Sequence, residues 1–242
     1  QVDYRTSRLH DMKKITEIAH KFGALTVWDL AHSAGVLPIS LENTKADFAV
    51  GCTYKYLNGG PGSPAFIYVA PKYINEVEPA LFGWHGHKSP FDFSLNYEAS
   101  IGIDKMRIGS PSIISFAALR HSLDIWDDID LSELRKRSIV LSELFISELD
   151  KLSLNFKLAC PRDPNMRGGQ ISYICENGYE FMQAFIEKKL IGDFRAPNLI
   201  RFGFSPLYLD ENDILKAIKI IDQVSKNELW KNYKNINRKT VT

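Results

Sequence analysis

The sequence predicts an α/β fold in two parts: a mostly parallel sheet first, then a smaller α+β domain. Three observations carry this. Short, continuously apolar strands over 24–28, 48–52 and 65–69 alternate with helical or irregular segments, the pattern of strands covered on both faces. The texture then changes near residue 127, where a long amphipathic helix opens a run of mixed strands and helices. The chain is also long enough for a large core, with 242 residues of which 45% are hydrophobic, in one large domain or in parts of two.

In order along the chain, Thr6 or Ser7 is placed to cap a helix running to about Lys21. Met12, Ile15, Ile18, Ala19 and Phe22 form its apolar stripe and Gly23 its stop. The strand Ala24 to Trp28 ends at Asp29, and the strand Phe48 to Cys52 leads into Thr53-Tyr54-Lys55. A third, Ala65 to Val69, follows the turn Asn58-Gly59-Gly60-Pro61-Gly62. Residues 79–111 lack periodicity and are rich in Gly, Pro, His and aromatics, and a loop this long in a compact domain is usually functional or disordered. A helix follows Ser112 to about Trp126, and a longer one carries Leu134, Leu141, Phe145, Leu149 and Leu152. Strands near 169–175 and 199–204 and helices near 178–189 and 211–225 complete the pattern, and the polar stretch from Lys226 to Thr242 reads as a frayed tail. The domains expected are residues 1–126 and 127–242.

Charge and composition exclude some classes of function. Thirty Lys and Arg against 29 Asp and Glu leave a net charge of +1, which gives no reason to expect nucleic acid or a membrane surface as partner. No apolar run approaches the length of a membrane span. Cys52, Cys160 and Cys175 are scattered, with no CxxC or Cys/His cluster. Neither a disulfide frame nor a metal site is therefore expected, and a reducing cytoplasmic setting follows.

Two residues stand at chemically useful places. Asp29 directly follows a buried strand, at the edge where open α/β sheets bind ligands, although the same residue serves equally as a helix cap for the segment from Ala31. Lys55 holds the matching place after the next strand, although a solvated surface lysine reads the same way. Together they suit pyridoxal phosphate. A lysine amine condenses with its aldehyde, and a carboxylate keeps its pyridine nitrogen protonated.

The surrounding residues are more specific. Asp29-Leu30-Ala31-His32-Ser33-Ala34-Gly35, then Gly51-Cys52-Thr53-Tyr54-Lys55-Tyr56-Leu57-Asn58-Gly59-Gly60-Pro61-Gly62, resembles the cofactor core of kynureninases, which are class V aminotransferase-like enzymes of fold type I. Gly83-Trp84-His85-Gly86-His87 and Arg201-Phe202-Gly203-Phe204-Ser205-Pro206-Leu207-Tyr208 resemble further segments of that family. The likeness runs across essentially the whole chain.

That resemblance implies pyridoxal 5'-phosphate as cofactor and hydrolysis of L-kynurenine to anthranilate and L-alanine as the reaction. It implies that Lys55 is the Schiff-base lysine and a proton shuttle. Asp29 pairs with the pyridine nitrogen, His32 packs beside it, and Tyr54 contacts the phosphate and is placed for proton transfer. Trp84 and Ser110 would complete the phosphate site across a homodimer interface, and Arg201 would take the substrate α-carboxylate in two-point contact. His85 stands where kynureninases often carry Phe, so a wall of the substrate pocket is altered. Gly109-Ser110 resembles the small pair of bacterial enzymes and leans towards kynurenine over its 3-hydroxy form.

Before Asp29 there is only Gly23 to build a phosphate-binding turn, so the chain reads as roughly the C-terminal 60% of such an enzyme. Two other readings stay open on the residues alone. One is transamination or desulfuration on the same fold, the latter needing a mobile nucleophilic cysteine. The other is a catalytically silent fragment that folds or dimerises with a partner chain.

Overall fold

The computed structural model describes residues 1–234. They form two compact units: 11–31 with 40–128, and 1–10 with 32–39 and 129 onward.

The first of these units holds helix α1 (Met12–Lys21), strands β1 (Val27–Asp29), β2 (Phe48–Cys52) and β3 (Ala65–Val69), and helix α2 (Ile113–Asp124). The sheet order is β1-β2-β3, with β1 and β2 parallel and β3 antiparallel to β2. β1 begins three residues later than the apolar run predicts; the Thr26 amide and hydroxyl go to the Asp47 carboxylate, while its carbonyl accepts from Phe48 N. Helix α1 also starts later than expected. Its cap is Asp11, whose carboxylate accepts from Lys14 N at 3.0 Å. Thr6 instead closes a turn on the Asp3 carboxylate, and Ser7 adopts a left-handed φ of 58°. Of the predicted stripe only Met12 is buried, beside Thr16, while Ile15, Ile18 and Phe22 are exposed. Gly23 ends the helix at φ 71°, as expected of a C-terminal glycine.

Residues 79–111 contain short 3-10 segments at Trp84–Gly86, Pro90–Asp92 and Gly102–Met106, and one isolated antiparallel bridge between His87 and Ala99. Packing of aromatic pairs such as Phe82 with Tyr97 (centroids 4.8 Å apart) adds to this sparse backbone bonding.

The second unit holds helices α3 (Leu131–Lys151), α4 (Gly178–Glu187) and α5 (Glu211–Lys226). Its sheet is formed by β4 (Lys157–Leu158), β5 (Gln170–Ile174), β6 (Asp193–Arg195) and β7 (Leu199–Gly203), antiparallel in the order β4-β5-β7-β6. β4 and β6, two and three residues long, are too short to show a pattern in sequence. Helix ends are capped where the sequence offers carboxylates. Asp130 accepts from Ser132 N and Glu133 N, and Asp210 with Asp213 forms a reciprocal capping box. The core joins Leu141, Phe145 and Leu149 of α3 to Ile171, Tyr173, Ile200 and Phe202 of the sheet and to Met182 and Phe185 of α4.

The tail differs from expectation. Residues Leu229–Tyr233 form a 3-10 turn, and Trp230 stacks on Phe181 with centroids 5.0 Å apart. Two aromatics in an otherwise polar stretch gain a buried partner and hold the chain down. The rest of the predicted tail, 235–242, lies outside the described residues. No helix among the described residues is long and apolar enough to cross a membrane.

Candidate active site

The site is built from the carboxyl ends of β1 and β2. In the parallel register Trp28 lies beside Ala49 and Asp29 beside Val50, and Leu30 N donating to Val50 O at 2.8 Å extends the ladder by one step. Side chains alternate between the two faces of a strand. Trp28 and Ala49 are buried on one face, with Trp28 Nε1 donating to Thr16 Oγ1 of α1 at 3.1 Å. Asp29 and Val50 therefore point to the other, open face. The Asp29 carboxylate accepts from Ala31 N at 2.7 Å, a local turn that fixes its direction as the chain leaves the sheet.

Lys55 comes three residues after β2, on a loop that is tied at several points. Thr53 is buried, and its Oγ1 lies 2.6 Å from Ser63 Oγ and donates to Pro64 O at 2.5 Å. Gly59 N donates to Thr53 O and Asn58 N to Lys55 O, so the chain turns back at once. Ser122 Oγ of α2 donates to Leu57 O at 2.5 Å. Asn58 and Gly60 take φ of 59° and 79°, the left-handed conformation this reversal needs. A lysine on a loop so fastened projects from a fixed root.

Tyr54 is near both. Lys55 Nζ lies 5.5 Å from the centre of its ring. Its hydroxyl is pushed above the ordinary phenol value, first by partial burial and then by the Cys52 thiol and the Asp29 carboxylate. At neutral pH it is a proton donor. The structure thus brings Asp29, Tyr54 and Lys55 together: an exposed carboxylate, a neutral phenol and an amine, all at the carboxyl edge of a parallel pair. Cys52 belongs to this group as well, with Sγ 3.7 Å from Ala31 O; sequence reading passed over it because a lone cysteine at a strand end carries no pattern.

Trp84 and His85 lie in the same unit, in the 3-10 turn after Gly83, with ring centroids 4.1 Å apart. Trp84 also borders a cavity of about 470 Å³ lined by Phe82, His87, Phe93, Leu95 and Tyr97 among others. His87 Nδ1 accepts from Ser89 N at 2.8 Å; an amide can only donate, which leaves the ring proton on Nε2, facing Asn96 O at 3.2 Å. Ser110 is exposed, just beyond the last of these turns.

His32 and Arg201 belong to the other unit. His32 is half-buried in the turn after β1. Arg201 sits in the middle of β7 with only 7% of its surface exposed. Its Nε donates to Asp193 Oδ1 at 2.6 Å, its Nη2 to Asp193 Oδ2 and its Nη1 to the Tyr4 carbonyl. Asp193 was not legible as a site residue, since only the β6–β7 register puts it opposite Arg201. Among the described residues no cluster of three His, Cys, Asp or Glu side chains is placed to hold a metal ion.

Two families match the chain: "Aminotransferase class-V" over residues 6–177 and "Kynureninase C-terminal domain" over residues 134–221. The kynureninase of Deinococcus radiodurans is 44% identical over 220 residues, covering 90% of this chain and 54% of that protein. The kynureninase of Pseudomonas fluorescens is 40% identical over 231 residues, covering 95% and 56%. The chain spans a little over half the length of these curated relatives. Among solved structures, the apo cysteine desulfurase of Thermococcus onnurineus NA1 superposes with a TM-score of 0.79 at 19% identity, covering 93% of this chain and 58% of that one. A cysteine desulfurase of Escherichia coli gives 0.78 at 17% identity, covering 94% and 58%. At such identities the likeness is one of fold, and it bears out the α/β class expected from the sequence.

Proposed function

We propose that this chain, which belongs to the class V aminotransferase family, carries the lysine-bearing part of a pyridoxal-phosphate enzyme that hydrolyses L-kynurenine to anthranilate and L-alanine. One observation carries the reading. Asp29 and Lys55 leave the same edge of adjacent parallel strands, in a chain 40–44% identical to kynureninases. The donor set suits the cofactor: an amine for its aldehyde, a carboxylate for its ring nitrogen and a phenol donor for its phosphate.

When bound, the cofactor supplies a protonated pyridine ring that draws electrons from the reacting carbon. The chain's residues do the rest. Asp29, oriented by the Ala31 amide, keeps the ring nitrogen protonated, and His32 packs beside it. Lys55 Nζ would hold the aldehyde and, once the substrate amine has displaced it, would be free to take and return the substrate α-proton. Tyr54, held neutral by its surroundings, donates to the phosphate and is available for proton transfer; such positioned groups each contribute about 10²–10⁴-fold. Arg201 binds the α-carboxylate, and His85 forms part of the substrate pocket wall. Trp84 and Ser110 complete the phosphate site of a second subunit in a homodimer. In this reading residues 1–126 belong to the cofactor-binding domain and 127–242 to the smaller domain, in a cytoplasmic enzyme.

A desulfurase on this fold needs a nucleophilic thiolate. Burial pushes Cys175 up to about 12 and raises Cys160 as well, and the half-buried Cys52 is engaged with Ala31 O. These thiols give that alternative no support.

The test is to load the complete gene product with pyridoxal phosphate, supply L-kynurenine and follow anthranilate fluorescence. Borohydride reduction should fix the cofactor on Lys55, and Lys55→Ala should abolish turnover. Alanine release from a different substrate with no anthranilate, or full activity in the Lys55→Ala variant, would overturn the proposal.

A further inference from the structure

From the geometry around β7 we infer that Asp193 is a positioning residue for substrate recognition, holding the Arg201 guanidinium so that its remaining donors meet the substrate's α-carboxylate. This rests on the reading of Arg201 as the carboxylate-binding arginine and adds a residue to it.

The argument starts from a count of donors. A guanidinium has five N–H groups in one plane and cannot be deprotonated in a protein. In Arg201 three are used: Nε–H and one Nη2–H on the two oxygens of Asp193, and one Nη1–H on the Tyr4 carbonyl. Among the described residues the other two, one on each terminal nitrogen, have no acceptor, and two is the number a carboxylate takes in two-point contact. The three engaged bonds lock the plane, so little rotamer freedom is left to lose when substrate arrives.

The placement of Asp193 is specific to the fold. It is the direct cross-strand partner of Arg201 in the antiparallel β6–β7 pair, the position from which side chains on one face interact most strongly. Gly192 makes the approach possible, because a Cβ there would lie 2.7 Å from the Arg201 carbonyl oxygen and 2.8 Å from Met182 Cε. Phe194 is buried on the opposite face of β6, which turns Asp193 and Arg195 to the same side. Arg195 Nη2, half-exposed, lies 3.3 Å from Asp193 Oδ2 and adds a second cation beside the same carboxylate. Asp193 also offsets the charge of a cation that is otherwise deeply buried.

The experiment compares Asp193→Ala, Asp193→Asn and Arg201→Lys in the complete, cofactor-loaded protein. Two substrates are used, L-kynurenine and its analogue lacking the α-carboxylate. Asp193→Ala should raise KM for L-kynurenine about 10-fold with kcat nearly unchanged. Asp193→Asn, which keeps one acceptor oxygen, should recover part of that. Neither variant should change kcat/KM for the decarboxylated analogue, which a general loss of folding would lower too. Thermal midpoints measured alongside show whether each variant is folded. If Asp193→Ala slows both substrates equally, or leaves KM for L-kynurenine at the parent value while Arg201→Lys raises it, the positioning role is refuted. If Arg201→Lys itself leaves KM unchanged, the reading of Arg201 beneath it falls instead.

Discussion

Replacing Asp47 by Asn should destabilise the unit that carries Lys55, and should do so by an amount that shrinks in acid. Asp47 precedes β2, and its side chain is completely buried. Oδ2 accepts from His20 Nε2 at 2.8 Å, from Thr26 N at 2.9 Å and from Thr26 Oγ1 at 3.0 Å, while Lys72 Nζ lies 2.9 Å from Oδ1. Three of these contacts are hydrogen bonds to a buried charge, each worth about 1.5–3 kcal/mol net. Lys72 is half exposed, so its ion pair adds little. Asn keeps one acceptor oxygen and forfeits the charge, so about half the sum at the low end, about 2 kcal/mol, is the expected loss. For a chain of this size that lowers the thermal midpoint by about 4–8 °C.

Acid dependence makes the test sharper. Burial by itself would raise the Asp47 pKa, but the bonds from His20, Lys72 and Thr26 outweigh it and hold the carboxyl well below the usual range. A group depressed in the folded state contributes its full stability above its unfolded pKa, about 3.9, and loses it as pH falls below that value. The loss is about 1.4 kcal/mol for each pH unit below that point. Asn does not titrate, so the gap between parent and variant should be constant above pH 5 and narrow by about 1 kcal/mol at pH 3. Urea denaturation followed by circular dichroism at pH 7, 5 and 3 measures it. A gap under 0.5 kcal/mol at pH 7, against the roughly 2 kcal/mol expected, or one unchanged between pH 5 and 3, would refute the reasoning.

Other outcomes follow from the geometry. Gly83→Ala should disturb the Trp84–Gly86 turn, because the added Cβ would lie 1.6 Å from the Ile108 carbonyl oxygen, a backbone atom with nowhere to go. A cost of about 1–3 kcal/mol and an altered near-ultraviolet spectrum from Trp84 are expected; a parent-like spectrum counts against the close approach. Gly51→Ala should be milder, since its Cβ meets only the Phe66 ring, and its denaturation midpoint should fall by less than that of Gly83→Ala. Of the chain's three thiols, Cys52 should react first with an aromatic disulfide at pH 8, as peptide mapping would show. Cys160 and Cys175 are buried with raised pKa values and should react only on unfolding; fast native-state labelling of Cys175 would contradict that burial.

Much of the fold was legible in the sequence because local signals are strong there. Continuous apolar runs marked β2 and β3 to the residue, and helical periodicity found α3 and placed α4 and α5 within two residues or so of their ends. The start of α1 was misplaced because Thr6 and Asp11 are both competent caps. The choice fell to Asp11 when Asp3 claimed Thr6 for a turn. For the site, the residues flanking Asp29 and Lys55 suggested a cofactor from their order alone.

Sequence by itself marked candidate residues for chemistry, Asp29 and Lys55 foremost, and the kind of element each sits on, since residue type and strand or helix periodicity are written along the chain. Only the tertiary structure decided which of them share a bond. The parallel register set Asp29 and Val50 side by side, the β6–β7 pairing gave Arg201 its Asp193, and the approach of α2 fastened Leu57 through Ser122. These join residues between 8 and 65 positions apart. No local rule encodes such pairings, because they arise from burying separate apolar faces against one another, and the polar partners come into reach only once that burial has happened.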